Sequence, residues 1–446
     1  MKAILRKLRW VGVNLARLLL AVAFICSGFV KAVDPRGTQY KIEDYLQAFG
    51  WAETFPSFFP LIGAVLLCAF EFCLGIYLLF GVRRRRSSRF ALLFLGVLTP
   101  FTLYLALANP VADCGCFGDA WVLTNWQTFG KNMVLLAAAV PVSLYWRRMP
   151  RLISERNQWM ISMYSILFIF VFSSYCIYRL PFMDFRPYYI GADLKPMITE
   201  GDGPQYETIF ILEKDGEKRE FSLEDYPDST WTFVDSRTSL VRGDEKADAR
   251  DFSVMLLGEQ KDITESILMD DNYVFLLTAP RLEQADDSYI DRINTLYDYC
   301  VEHGYAFYCL TASDAPAISR WEELTGAEYP FCFTDELALK TMVRSNPGLM
   351  LLKEGVVKNK WSCTDLPSEE ELSAPLEKLP MANLVPEDYY MKIINVLLWF
   401  FVPFLILTFA DRIWMGGKMY KRFKHKNRII NQIKERKNYE KENRSR

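Results

Sequence analysis

Cys114-Gly115-Cys116 is the stretch of this chain best equipped to do chemistry. Two thiols with one residue between them lie within bridging range, yet a disulfide closed over so short a span should be strained. Strained disulfides are easier to reduce, and labile bonds of that kind are the catalytic or regulatory ones. Gly115 permits backbone angles that a larger residue would resist. The pair can therefore be a thiol–disulfide exchange centre or a static staple of its loop. Metal binding is a further use, but a closed zinc site takes about four ligands. The two histidines, His303 and His425, stand in other regions, so no metal is expected. Cys26 is the candidate exchange partner for the pair, although packing as a small apolar residue is the other reading of its place.

The elements that must position these residues are membrane helices. The chain has 446 residues, half of them hydrophobic, and the apolar residues gather in runs at 11–33, 58–80, 90–108, 127–146, 159–180 and 392–411. Each is about as long as a helix needs to cross a hydrocarbon layer of ~30 Å. In lipid a helix satisfies its own backbone polar groups. Lys2, Arg6, Lys7 and Arg9 precede the first run as they would in a signal peptide, but the run is too long for one, so a retained helix is expected.

Arginine and lysine settle the expected orientation, because short basic loops stay on the cytoplasmic side. Arg83–Arg86 with Arg89, and Arg147, Arg148, Arg151 and Arg156, make two such loops. The alternate loops, 34–57 and 109–126, carry only Arg36 and Lys41. That pattern puts both termini inside and the cysteine pair outside, where disulfides persist. Arg17 and Glu71, at similar depth by residue count, are the expected intramembrane ion pair, since lone charges in lipid are costly. The basic tail 412–446 is expected to lie against anionic lipid. No aromatic or motif pattern points to nucleic acid.

Between the fifth and sixth runs lies an acidic segment, 182–390, expected outside. Its start alternates apolar and polar residues around Asp215-Gly216, as a hairpin does. Tyr273–Leu277 then reads as a buried strand, Ser288–His303 as an amphipathic helix, and Ala306–Leu310 as a second strand. A helix at 314–325 and a hairpin over Glu354-Gly355 follow. That order resembles the thioredoxin fold, here over 272–380, and the resemblance implies a cis bond before Pro347. The redox members of that fold carry Cys-x-x-Cys after the first strand. The matching stretch, Thr278–Asp287, has no cysteine, which leaves docking or structure as the expected role of this domain.

Two further motifs lie in the first 150 residues. Phe24-Ile25-Cys26-Ser27-Gly28-Phe29-Val30-Lys31-Ala32-Val33-Asp34-Pro35-Arg36-Gly37-Thr38 and Asp113-Cys114-Gly115-Cys116-Phe117-Gly118 together resemble the DoxX-like family, and within it the methylamine-utilisation MauE branch. The resemblance implies a four-helix membrane domain over 1–150, linked to redox maturation of extracytoplasmic proteins. Ser27, Gly28, Lys31, Asp34, Pro35 and Gly37 match its first motif; Cys114 and Cys116 match its cysteines.

The expected fold class is thus an α-helical membrane bundle, with further spans at 158–181 and 391–411, carrying an α/β thioredoxin-like domain. The expected function is thiol–disulfide exchange in a bacterial inner membrane, with extracytoplasmic protein thiols or disulfides as partners. A non-catalytic scaffold for assembling an extracytoplasmic enzyme is the alternative. No cofactor is expected, and no residue pattern supports quinone.

Overall fold

The computed structural model describes residues 2–52, 54–111, 114–196, 205–214, 217–221, 232–242, 252–257, 261–383 and 388–444. Helix α1 (Lys2–Val33) is followed at once by α2 (Pro35–Ala48), then α3 (Phe59–Phe80), α4 (Arg84–Ala108), α5 (Asn125–Leu144) and α6 (Gln158–Tyr178). Segment 34–57, read from sequence as a loop, is mostly the helix α2. Asp34 caps it by accepting the Gly37 amide at 2.9 Å, and Pro35 fills the first turn, where no amide partner is needed.

Five described helices are long and apolar enough to cross a membrane: Ile4–Val33, Phe59–Phe80, Arg84–Ala108, Glu155–Tyr178 and Tyr389–Gly417. The expected span at 127–146 is not among them, because Gln127, Lys131 and Asn132 dilute the first half of α5. α5 nevertheless packs along α4 and α1, and its buried Asn132 donates to the Thr102 hydroxyl at 3.2 Å. At ~1.5 Å per residue its twenty residues run the length of the bundle.

Helix α3 is the hub, buried against α1 on one side and α6 on the other. Glycine makes the α1–α3 crossing close. A Cβ on Gly28 would lie 2.7 Å from the Cys68 carbonyl oxygen and collide with the Phe72 backbone nitrogen; one on Gly75 would lie 2.7 Å from the Ile25 backbone nitrogen. These two contacts fix the register of α1 on α3 and, through it, which polar side chains can meet.

In the soluble domain β1 (Gln205–Lys214) pairs antiparallel with β2 (Glu217–Phe221) and β3 (Thr232–Arg242); the turn at Asp215-Gly216 lies outside the described residues. The second sheet follows: β4 (Met255–Leu256), β5 (Lys261–Asp262), α7 (Thr264–Leu268), β6 (Tyr273–Ala279), α8 (Ile290–His303), β7 (Ala306–Thr311), α9 (Ala315–Thr325), β8 (Phe331–Phe333), α10 (Glu336–Met342), β9 (Gly348–Lys353) and β10 (Val356–Ser362). Its order is β10-β9-β6-β7-β8-β4-β5, with β6 parallel to β7 and antiparallel to β9. The four strands β10-β9-β6-β7 have the thioredoxin-like order. Alternate residues of β6 enter two cores, Phe275 and Leu277 on one face and Val274 and Leu276 on the other. The last element, α11 (Tyr389–Arg444), returns to the bundle, where Phe400 and Phe404 pack on Phe72, Phe80 and Phe168.

The bundle has two chemically distinct ends. Arg84 donates to the Arg147 carbonyl at 3.3 Å and Arg412 to the Arg151 carbonyl at 3.0 Å, which gathers the arginines at one end. The Cys114–Cys116 loop, α2 and the soluble domain share the other.

Candidate functional site

Both carbonyls flanking Gly115 are gripped by helix side chains. The Tyr45 hydroxyl of α2 donates to the Cys114 carbonyl at 3.2 Å. From α1, the Lys31 ammonium donates to the Cys116 carbonyl at 2.7 Å, and the Ser27 hydroxyl lies 2.8 Å from the same oxygen. Gly115 has φ +62, a left-handed conformation that side chains resist, and a Cβ there would stand 3.1 Å from Lys41 Cγ. The two sulfurs lie 3.4 Å apart as thiols in hydrogen-bond contact. Asp113, part of the second motif, lies outside the described residues.

Lys31 is the centre of a buried network. Besides the Cys116 carbonyl, its ammonium reaches Ser27 Oγ at 2.7 Å and Glu71 Oε2 at 2.8 Å, so all three of its donors are used. Ser27 and Lys31 are one turn apart on α1, which puts them on one face. The register set at Gly28 brings Glu71 of α3 opposite that face. This corrects the expected Arg17–Glu71 pair. Arg17, more than three turns away, donates instead to the Leu79 carbonyl at 3.4 Å, because the glycine crossings slide α1 along α3 relative to a count made from the helix ends. Lys31 was legible as part of a motif, but not as the partner of Glu71. Cys26 is corrected too. It is exposed, one step around α1 from Ser27, and Ser27 takes the place beside the cysteine pair.

The soluble domain docks on the same site through Arg344. Its Nε donates to Asp34 Oδ2 at 2.9 Å and its Nη2 to Asp119 Oδ2 at 2.6 Å. The guanidinium also lies 5.2 Å from the Tyr40 ring centre, with the Lys340 ammonium at 4.8 Å. Asp34 thus caps α2 with one oxygen and holds the soluble domain with the other. A Cβ on Gly37 would lie 2.9 Å from Arg344 Nη2, so this close approach needs glycine. Arg344 stands three residues before Pro347, whose bond from Asn346 is cis. Asn346 in turn bonds the segment that replaces Cys-x-x-Cys: its side chain donates to the Arg281 carbonyl at 2.8 Å, and its carbonyl accepts the Asp286 amide at 3.0 Å. The face on which redox thioredoxins carry their thiols therefore sits over α2 and the loop of the cysteine pair.

Charge tunes the site. Burial opposes ionisation of Asp34, but Arg344 and Arg186 and the Gly37 amide outweigh it and hold the carboxyl below its usual range. A depressed carboxyl stabilises docking at pH above its ordinary value of 3.8, and that contribution disappears as pH falls through the lowered value. Docking should accordingly be intact at neutral pH and fail in acid below that range. Hydrogen exchange of α2 against pH checks this; protection unchanged down to complete unfolding would contradict it.

Within the cysteine pair, the Cys116 thiol is held low by accepting a hydrogen bond from Cys114, which burial opposes and the ammoniums of Lys131 and Lys31 reinforce. Cys114 is pushed up, chiefly by donating to Cys116 and then by burial. Cys116 is therefore the better thiolate at neutral pH. In the soluble domain Cys300, Cys309, Cys332 and Cys363 are all buried. Burial raises the first three, Cys332 to about 12. Among the described residues no group of three or more His, Cys, Asp or Glu could hold a metal ion.

Residues 8–145 match the family Methylamine utilisation protein MauE, and residues 206–243 match Domain of unknown function (DUF8463). No curated protein matches the chain. Among solved structures, a protein assigned as a disulfide isomerase from Bacteroides thetaiotaomicron is 19% identical, over 27% of this chain and 77% of its own, with a TM-score of 0.21. The bacterioferritin comigratory protein of Xanthomonas campestris is 12% identical, over 26% of this chain and 83% of its own, at 0.20. A cysteine-to-serine variant of peroxiredoxin Q from the same organism is also 12% identical, over 26% and 82%, at 0.21. The chain is a multi-pass membrane protein whose helical region matches the MauE family model over residues 8–145 and whose larger sheet has the thioredoxin-like strand order.

Proposed function

We propose that this protein exchanges disulfides with extracytoplasmic protein partners through Cys114 and Cys116, from the outer side of a bacterial inner membrane. The arginine-rich end of the bundle supports that orientation, since such ends stay in the cytoplasm. The observation that carries the reading is the grip of Lys31, Ser27 and Tyr45 on the carbonyls either side of Gly115, which holds two thiols in contact.

In the reducing direction, the Cys116 thiolate attacks one sulfur of a partner disulfide. A Cys116–partner mixed disulfide forms, and the partner's other sulfur leaves as a thiolate and takes a proton. Cys114, deprotonated, then attacks Cys116, closing the Cys114–Cys116 disulfide and releasing the second partner thiol. Two electrons pass from the pair to the partner. The reverse sequence oxidises a partner dithiol and leaves the pair reduced.

Cys114→Ser keeps the attacking thiolate and removes the resolving one, so it should accumulate a mixed disulfide with the partner, visible on non-reducing gels and cleared by reductant. Cys116→Ser should accumulate far less. A scaffold reading draws on the absence of cysteine from Thr278–Asp287 in the docked domain. Full cellular function in a Cys114→Ser, Cys116→Ser double variant would favour it over exchange.

A further inference from the structure

At the end of the bundle away from the cysteine pair lies a cavity of about 330 Å³, lined by Arg83, Arg84, Arg85, Arg86, Arg151 and Trp146. Five arginines line one space, Arg84 half-buried and the other four exposed, and none of these lining residues is a carboxylate. Glu155 pairs with Arg151 at 2.6 Å, but both are largely exposed, where such a pair contributes little. Like charges gathered this way repel one another, and an anion entering the space relieves that repulsion.

Part of the wall is rigid. Arg84 donates to the carbonyls of Arg147 and Met149 and lies 5.9 Å from the Trp146 ring centre. Its Nε is buried and has no acceptor. Arg83 is held in a left-handed conformation, φ +41, by its amide bond to Gln158 Oε1 at 3.0 Å. The cavity also stands at the first turn of the 25-residue helix α4, whose dipole favours negative charge.

We propose that this cavity binds a phosphate or phosphodiester group, which the planar guanidinium fork suits better than any other common anion except carboxylate. The source favoured by its position is an anionic lipid headgroup. The apolar stretch of α4 starts just past Arg89, with Phe90 and Leu93 exposed on the bundle surface where acyl chains would lie. Basic pockets between membrane helices bind such headgroups.

The test uses the full chain in detergent, equilibrated with equal amounts of phosphatidylglycerol and phosphatidylcholine, with retained lipid counted by native mass spectrometry. Phosphatidylglycerol should be retained in preference, and about a hundredfold more weakly by an Arg85→Gln, Arg86→Gln, Arg151→Gln variant, given the usual contribution of a basic side chain near anionic lipid. Unfolding temperatures without lipid show that the variant is folded; removing like charges should leave them unchanged or raised. Inorganic phosphate that displaces phosphatidylglycerol, or raises the unfolding temperature alone, would assign the same site to a soluble phosphate. Three results overturn the proposal: no preference for phosphatidylglycerol together with no phosphate effect, a variant that binds like the parent, or an equal loss in an Arg6→Gln, Arg9→Gln control.

Discussion

Replacing Lys31 by methionine should destabilise the cysteine end of the bundle by about 3–5 kcal/mol, the usual result of stranding one member of a buried ion pair. Glu71 would keep its charge, with only the Ser27 hydroxyl as a hydrogen-bond partner. The companion change Glu71→Leu should restore most of that stability, since an apolar pair of similar volume is often neutral or better. The rate of disulfide exchange should not return with it. The Cys116 carbonyl would still lack its ammonium donor, and misplacing a reacting group by about 1 Å can cost a hundredfold. Thermal unfolding in detergent reads the first effect and exchange with a model disulfide the second. A double variant that regains both would reduce Lys31 to a bolt between helices.

Replacing Arg344 by alanine should release the soluble domain. Two ion pairs are lost at once, and Asp34 and Asp119 are left facing each other, at a cost of about 2–5 kcal/mol for such a buried charge contact. That shifts docking at least thirtyfold. Hydrogen exchange should rise in α2 and α10, and alkylation of Cys114 and Cys116 should accelerate as the cover lifts. Arg344→Lys should recover only part of the effect, because an ammonium cannot reach both carboxylates as the fork does. Unchanged exchange and alkylation in Arg344→Ala would show that the domain is held by other contacts.

The architecture was largely legible because it rests on long apolar periods and on strand and helix patterns that are local in sequence. The strand Tyr273–Leu277, which extends to Ala279, and the β9–β10 hairpin could be read directly. The short β8 and α10 between them could not, since three to seven residues give too little period to register. At the site, the cysteine pair stood out by spacing alone. Its surroundings did not, because they depend on register. Glu71 pairs with Lys31 and not Arg17 owing to two glycine contacts between helices, and Cys26 gives way to Ser27 by one step around α1. The Arg344 contact joins positions some three hundred residues apart, and no local pattern announces it. Asp34-Pro35, a cap followed by a first-turn proline, is the local signal for α2 that a reading of 34–57 as a loop passes over.

The most direct test of a working cysteine pair is its redox titration. Membranes holding the full chain would be equilibrated across thiol–disulfide buffers and Cys114 and Cys116 alkylated to count free thiols. Both thiols should disappear together as one two-electron couple, with a midpoint inside the range of exchange proteins, about −120 to −270 mV. A pair that stays locked in one state across that whole range would contradict it.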